Sequence, residues 1–164
     1  MAPLFLLIDN ACLRTVLNQE KNFRRPNTVE RLVNRFYGAL VGFGLGLQHN
    51  YLLQVRGRKS GRIYSMPVNV LNYHNNLFLV ATRGYTEWAR NALAAQEVTL
   101  KKGRVRLHFK LRDVGDQEKP EILRAYLNRF RLTVGRFFPV KPDAPPEAFV
   151  ALSDRYPVFE LIRN

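Results

Sequence analysis

Short apolar runs separated by turn residues fill most of the chain after residue 50, and no other feature constrains the fold as much. Six runs have the length of a strand: Tyr51–Arg56, Tyr64–Asn72, Leu77–Thr82, Val98–Lys101, Arg104–Arg112 and Pro157–Ile162. In the second run Met66, Val68 and Val70 alternate along one face, as they do in a strand with one buried side. The turn sequences His74-Asn75-Asn76 and Lys102-Gly103 join neighbouring runs, which predicts antiparallel hairpins.

Helical spacing appears on both sides of these runs. It predicts helices over residues 4–20, 27–41, 86–95, 117–134 and 146–152. Asn27 and Asp116 are the expected N-caps of two of them. This order of elements predicts an α+β domain, a small antiparallel β-barrel flanked by helices. Because no flexible linker divides the chain, residues 1–48 are expected to form a helical segment that packs on a barrel domain, residues 49–164.

The charge of the chain is unusual. Lys and Arg number 26 against 13 Asp and Glu, which gives a formal net charge of +13. Such a surplus concentrates anions around a protein, so the partners it allows are nucleic acid, an anionic membrane surface or a small polyanionic ligand. Cys12 is the one cysteine, which excludes an intrachain disulfide, and the three histidines are too far apart in sequence to indicate a zinc site. No metal is therefore expected. No apolar run reaches the ~20 residues of a membrane span, so a cytoplasmic protein is expected.

Residues 56–62, Arg-Gly-Arg-Lys-Ser-Gly-Arg, are the strongest candidate for a ligand site. Four basic side chains and a hydroxyl stand beside two glycines. Glycines let backbone amides turn toward an anion, and Arg and Lys add charge and directed donors. The segment therefore suits a phosphate, although it lacks the order of a Walker loop. A solvated basic turn between two strands explains it equally well.

A second candidate spans residues 81–88, Ala-Thr-Arg-Gly-Tyr-Thr-Glu-Trp, where a predicted strand ends and a helix begins. The N-terminus of a helix presents unpaired amides to a ligand. Thr82 and Arg83 add side-chain donors, and Trp88 adds a flat apolar surface. On spacing alone, a core position for Trp88 and a plain N-cap at Thr86 form the simpler interpretation.

Together these segments resemble the deazaflavin (coenzyme F420)-dependent nitroreductase and quinone reductase family. The resemblance lies in the order and spacing of residues 57–61 (Gly-Arg-Lys-Ser-Gly), 66–68 (Met-Pro-Val), 81–84 (Ala-Thr-Arg-Gly) and 88–91, which contain Trp88, Arg90 and Asn91. It covers the chain from about residue 41 and implies a flavin-binding split β-barrel. Residues 85–88 lack the proline that family members often carry before this helix, which indicates a divergent branch.

The resemblance implies a role for each matching position. The phosphate and acidic tail of the coenzyme would contact the basic loop through Arg58, Lys59 and Ser60, with electrostatic help from Arg56 and Arg62. The deazaflavin ring would lie along Pro67, Val68 and Asn69, and its edge or ribityl chain along Ala81, Thr82, Arg83 and Gly84. Trp88 would pack beneath that loop with Asn91 as a helper. The substrate wall would include Tyr126, Phe130, Phe137 and Phe138, although helical spacing also fits core packing for the first two.

The activity implied by the resemblance is transfer of a hydride from reduced coenzyme F420 to a quinone, an enone or a nitro compound. No residue pattern identifies a catalytic acid or nucleophile. One alternative keeps the barrel but binds FMN, a tetrapyrrole or a lipid. Others are non-specific nucleic-acid binding through the basic and aromatic residues 124–138, or peripheral membrane contact through residues 4–40. A monomer and a homodimer are both compatible with the sequence.

Overall fold

The computed structural model describes residues 48–163. The predicted helices over 4–20 and 27–41, and with them the helical segment 1–48 and its membrane contact, lie almost wholly outside the described residues. The described residues comprise the strands of the barrel domain and the helices that follow or interrupt them.

Seven antiparallel strands form a single sheet in the described part of the chain. They are β1 (Asn50–Arg56), β2 (Ile63–Asn69), β3 (Leu71–Tyr73), β4 (Asn76–Val80), β5 (Glu97–Lys102), β6 (Val105–Asp113) and β7 (Val158–Arg163). The order of strands in the sheet is β2-β1-β5-β6-β7-β4-β3. Each neighbouring pair runs antiparallel, as the hairpin signals predict.

The sheet curls because its two edge strands are consecutive in the chain. Strands β2 and β3 lie at opposite edges, and only Val70 separates them. A flat sheet of this order would hold its edges roughly 29 Å apart, whereas two Cα–Cα steps span at most about 7.6 Å. The edges must therefore meet at Val70, whose amide donates to the His49 carbonyl at 2.9 Å. This closure confirms the expected split β-barrel, with seven strands instead of about six.

Three helices accompany the barrel: α1 (Glu87–Ala95), α2 (Lys119–Val134) and α3 (Pro146–Val150), with a 3₁₀ turn at Gly135–Phe137 after α2. Helix α1 packs against the inside of the curled sheet through Ala89 and Ala92, among residues such as Leu53 and Phe109. Helices α2 and α3 cover the outer face of β3, β4 and β7. Two apolar cores result, one within the barrel and one beneath α2.

Two differences from the predicted elements concern a break in a strand and the start of a helix. The single predicted run 64–72 is two strands, because the chain changes sheet edge at Val70. Helix α2 begins at Lys119 and not near Gln117, and its N-cap is Glu118, so the cap predicted at Asp116 is wrong. Residues 115–118 form a turn in which the Glu118 amide donates to the Gly115 carbonyl, and the Asp116 carboxylate accepts from the Lys119 ammonium at 2.7 Å.

Candidate functional site

The basic loop, residues 57–61, connects β1 to β2 and has a glycine at each end. The Gly61 amide donates to the Gly57 carbonyl and the Gly57 amide donates to the Arg62 carbonyl, each at 2.8 Å. Gly61 has a φ of +66°, a left-handed conformation that other residues rarely adopt. A Cβ at Gly57 would lie 2.5 Å from Cε2 of Tyr64. The two glycines therefore hold a tight turn that presents Arg58, Lys59 and Ser60.

Helix α1 binds this loop through Arg58. The Oδ1 atom of Asn91 accepts from the Arg58 backbone amide at 3.2 Å and from Nη1 of the same residue at 2.8 Å. Glu87 accepts from Nη1 at 3.0 Å. The hydrogen bond from Arg58 is the main reason that the pKa of Glu87 lies below its usual range. The two segments singled out in the sequence, 56–62 and 81–88, are thus joined in the fold at the first two turns of α1.

Donors around this junction remain available to a ligand. Among residues 48–163, the backbone amides of Lys59 and Ser60 donate no hydrogen bond. The Thr86 hydroxyl is buried and has no partner in the described part of the chain, and it does not cap α1 although Thr86 is the N-cap residue. The amides of the first turn of a helix lack intrahelical acceptors. Donors from two segments therefore surround the start of α1.

The other side chains in and beside the basic loop make contacts of different kinds. The Ser60 hydroxyl accepts from the Arg62 amide at 3.3 Å and lies 3.1 Å from the Tyr64 hydroxyl. Arg56 donates to the Gly61 carbonyl at 3.4 Å, so it braces the turn. Lys59 is exposed and close enough to Glu87 to lower its pKa. Of the three loop side chains predicted to contact phosphate, Lys59 is the one that points a charge into solvent.

Arg83 connects the second segment to the end of α2. Its guanidinium lies 4.7 Å from the centroid of the Phe137 ring, and the guanidinium of Arg136 lies at the same distance from that ring. Phe137 belongs to the 3₁₀ turn, and its backbone carbonyl accepts a hydrogen bond from the Tyr156 hydroxyl at 2.6 Å. The loop 81–84 and the aromatic turn therefore meet, as cofactor and substrate residues would have to do.

The predicted ring-contact residues divide between two faces of β2. Val68 packs against the barrel core, with Met66 on the same face. Asn69 faces the other side, where its Nδ2 donates to the Thr133 hydroxyl of α2 at 3.4 Å. Because successive strand residues point in opposite directions, Pro67 shares the face of Asn69. Side chains of all three cannot line one face of a ring.

Trp88 and three of the four aromatic residues predicted at the substrate wall are core residues. The core between α2 and the sheet buries Tyr126, Phe130 and Phe138, and burial raises the pKa of the Tyr126 phenol. Trp88 is half-buried against the barrel core with its ring centroid 5.8 Å from that of Phe159. Core packing therefore accounts for these residues, whereas Phe137 is the aromatic that reaches Arg83.

The sequence did not identify Glu87 as part of the site and identified Asn91 only as a helper. Both contact Arg58 across about thirty residues of chain. One local signal was present, since an acidic residue in the first turn of a helix is favoured by the helix dipole. That signal does not say which cation the carboxylate will meet.

Two kinds of functional feature are absent from residues 48–163. No group of His, Cys, Asp and Glu side chains there is arranged to hold a metal ion. None of the helices in the same range is both long and apolar enough to cross a membrane.

Comparisons with known proteins give one family match and several structural matches. The family described as F420H(2)-dependent quinone reductase matches residues 28–131. No curated protein sequence matches the chain. A structure described as a domain-swapped dimer is 20% identical with a TM-score of 0.50, covering 90% of this chain and 98% of its own. That likeness supports the barrel fold alone.

Two further structures have lower TM-scores. An F420-H2 dependent reductase, FDR-A, is 21% identical with a TM-score of 0.47, covering 70% of this chain and 94% of its own. A NimC/NimA family protein from Clostridium acetobutylicum is 13% identical with a TM-score of 0.48, and the match covers 77% of each chain.

Proposed function

The chain belongs to the F420H(2)-dependent quinone reductase family, and from this premise we propose that it reduces a quinone with a hydride taken from coenzyme F420. The cofactor of the family is coenzyme F420, and its members are oxidoreductases acting on small molecules. Reduced F420 supplies a hydride when it is bound, so the protein needs to bind, orient and shield, and not to provide a nucleophile. We extend the proposal to enones and nitro compounds as further acceptors of two electrons.

One observation carries this proposal: the basic loop is bound to the N-terminus of α1. Asn91 and Glu87 hold Arg58, and this fixes the loop so that Lys59 and two free amides stand beside the first turn of the helix. Such a place suits a phosphate, because helix amides and a cation both favour negative charge. The buried Thr86 hydroxyl supports the fit, since a ligand there would supply the partner that residues 48–163 do not.

The residues of the junction then divide into two roles. Lys59 would contact the phosphate with its ammonium, and the amides of Lys59 and Ser60 would donate to phosphate oxygens. Arg58 would act through the loop backbone, because its guanidinium already bonds Glu87 and Asn91. This differs from the role that the resemblance implies for Arg58, which was direct contact with the phosphate.

The acceptor would lie on the far side of Arg83 from the basic loop. Phe137 is half-buried and lies beneath the Arg83 guanidinium, so the two form a flat, cationic wall. A planar ring such as that of a quinone can lie flat beside such a wall, and a cation near its oxygen favours the negative charge that develops on reduction. Solvent can supply the proton that completes the hydroquinone.

Coenzyme binding is the direct test. Oxidised F420 is titrated into the protein and the quenching of its fluorescence is followed, with FMN as the comparison ligand. We expect micromolar or tighter binding of F420 and weaker binding of FMN. Lys59→Ala removes one charged contact with the phosphate, which should contribute about 1.5 kcal/mol or more. This variant should therefore bind F420 at least about tenfold more weakly. The matched control is Lys110→Ala, which removes the same charge from exposed strand β6 and should leave affinity unchanged.

Arg58→Ala separates the two roles. Because Arg58 joins the loop to α1, this variant should weaken F420 binding and also lower the melting temperature, whereas Lys59→Ala should change affinity alone. Absence of F420 binding at high coenzyme concentration would contradict the proposed function. Once binding is established, oxidation of reduced F420 by a soluble naphthoquinone, an unsaturated ketone and a nitroimidazole ranks the acceptors.

A further inference from the structure

The proposed function leaves part of the positive charge unexplained. Residues 122–142 contain Arg124, Arg129, Arg131, Arg136 and Lys141 and no acidic residue. These residues cover the outer part of α2 and the proline-rich loop that follows it. The basic loop at residues 57–61 lies on other elements, so attraction of the coenzyme does not account for this second concentration of charge.

A groove lies between the C-terminal half of α2 and the proline-rich loop. Its volume is about 470 Å³, and it is lined by residues that include Leu127, Phe138 and Val140 as apolar surface and Arg131 and Lys141 as cations. No acidic side chain lines it. We call this surface the α2 groove. A groove of this size is large enough for a ligand of the size of a drug or a lipid chain.

Leu132 stands at the edge of the α2 groove and is 93% exposed, the highest exposure among the large apolar side chains of the described residues. A single exposed leucine is ordinary on a protein surface. Here it adjoins an apolar groove and two cations, and that combination is typical of a surface that meets something both apolar and anionic.

The structure favours a lipid surface over nucleic acid as the partner. Binding of single-stranded nucleic acid relies on aromatic rings that stack on bases. Three aromatic residues of this segment, Tyr126, Phe130 and Phe138, are at most 7% exposed. The fourth, Phe137, is half-buried, and the guanidinium groups of Arg83 and Arg136 lie against its ring. The apolar group that is exposed is the aliphatic Leu132. Aliphatic side chains among cations suit the boundary of an anionic bilayer, where headgroups are negative and acyl chains lie just beneath.

We propose that the α2 groove docks on an anionic lipid bilayer, with Arg131 and Lys141 at the headgroups and Leu132 inserted at the acyl boundary. Phe138 lines this groove, and the preceding residue, Phe137, contacts Arg83 at the proposed acceptor wall. Docking would therefore place that wall beside the membrane, where lipid-soluble quinones are found. This last consequence rests on the proposed function, whereas the docking itself does not.

Vesicle co-sedimentation of the full chain tests the charge contribution. Phosphatidylcholine vesicles with and without phosphatidylglycerol are compared. Near an anionic membrane each basic residue contributes about fivefold to affinity, so Arg131→Gln/Lys141→Gln should bind the anionic vesicles about 25-fold more weakly. The control Arg106→Gln/Lys110→Gln removes the same net charge from exposed positions on β6 and should stay within about fivefold of the native protein. Equal losses in the two variants would overturn the proposal, as would no binding of the native protein to anionic vesicles.

Leu132→Ser tests the apolar contribution. Partial burial of a leucine predicts about tenfold weaker vesicle binding. Salt screens the charges but not apolar transfer, so this ratio should persist at high ionic strength. Binding of Leu132→Ser equal to that of the native protein would contradict insertion. All three substituted side chains are exposed, so unchanged melting temperatures confirm that the variants fold.

A single-stranded oligonucleotide provides the last comparison. If Arg131→Gln/Lys141→Gln loses oligonucleotide binding while vesicle binding is retained, the partner is nucleic acid and the proposal fails. F420 titration of the same variants should be unaffected. A failure of vesicle binding and a failure of coenzyme binding are therefore separate results.

Discussion

Replacing Asn91 by alanine should detach the basic loop from helix α1. The Asn91 side chain is 5% exposed, and its Oδ1 atom accepts from both the amide and the Nη1 of Arg58. Alanine keeps the helix, since it is the residue with the best helix propensity. The substitution therefore removes the connection and leaves the element that carries it intact.

The expected cost follows from the two hydrogen bonds. A neutral hydrogen bond such as that from the Arg58 amide contributes about 1 kcal/mol, and one with a charged donor about 1.5–3 kcal/mol. The Arg58 side chain is 25% exposed, so water screens part of the second bond and its lower value applies. The free energy of unfolding should fall by about 2–3 kcal/mol. For a chain of this size that corresponds to a decrease of about 6–9 °C in the melting temperature.

Thermal and urea unfolding of three variants measure this effect. Glu87→Gln weakens the other contact of Arg58, but the Glu87 side chain is 66% exposed, so the loss should be at most about 1 kcal/mol. Asn128→Ala is the matched control on α2, where an exposed asparagine donates to the Arg124 carbonyl, and it should change stability by less than about 0.5 kcal/mol. If Asn91→Ala is no more destabilising than Glu87→Gln, the buried amide does not hold the loop and the reasoning is wrong.

Three further predictions concern other parts of the fold. Gly57→Ala should cost about 1–3 kcal/mol because the added Cβ meets the Tyr64 ring, and a double-mutant cycle with Tyr64→Ala should recover most of that loss. Lys119→Met should lower the free energy of unfolding by about 1–3 kcal/mol, measured in urea, because the ammonium of this buried residue no longer donates to the Ser153 carbonyl. Burial, with Arg129 and Lys102 nearby, lowers the pKa of His49. The unfolded chain therefore takes up this proton first as pH falls, so stability decreases below about pH 6.5, and His49→Gln should show a smaller decrease between about pH 7 and pH 5 in urea titrations.

Local patterns in the sequence predicted most of the elements. Alternation of Met66, Val68 and Val70 identified residues that do face the barrel core. The turn at residues 74–75 was visible because asparagine and its neighbour adopt the left-handed conformation that a two-residue hairpin requires, with φ of 49° and 64°. The break between β2 and β3 was not visible, because Val70 has the same apolar character as the strand residues beside it.

The sequence predicted the segments of the candidate site but not the contacts between them. The basic residues of the loop and the start of α1 could be read from residue types, because glycine, arginine and helix termini have intrinsic chemistry. That Arg58 bonds Asn91, while Lys59 remains exposed, depends on which way each side chain points once α1 packs inside the sheet. The same is true of Phe137 and Phe138, adjacent in sequence, of which one meets Arg83 and the other is buried.

The sequence alone determined the antiparallel strands, the described helices and the two candidate ligand segments, because these depend on periodicity and residue chemistry within about ten positions. Only the tertiary structure decided that the sheet closes at Val70, that α1 holds the basic loop, and that the aromatic residues of α2 are buried while Leu132 is exposed. These outcomes depend on contacts between residues that are 30 to 80 positions apart in the sequence. Examples are the contacts of Arg58 with Asn91, Asn69 with Thr133 and Leu52 with Lys101. Such contacts form because together they bury the two apolar cores. A short stretch of sequence does not specify them.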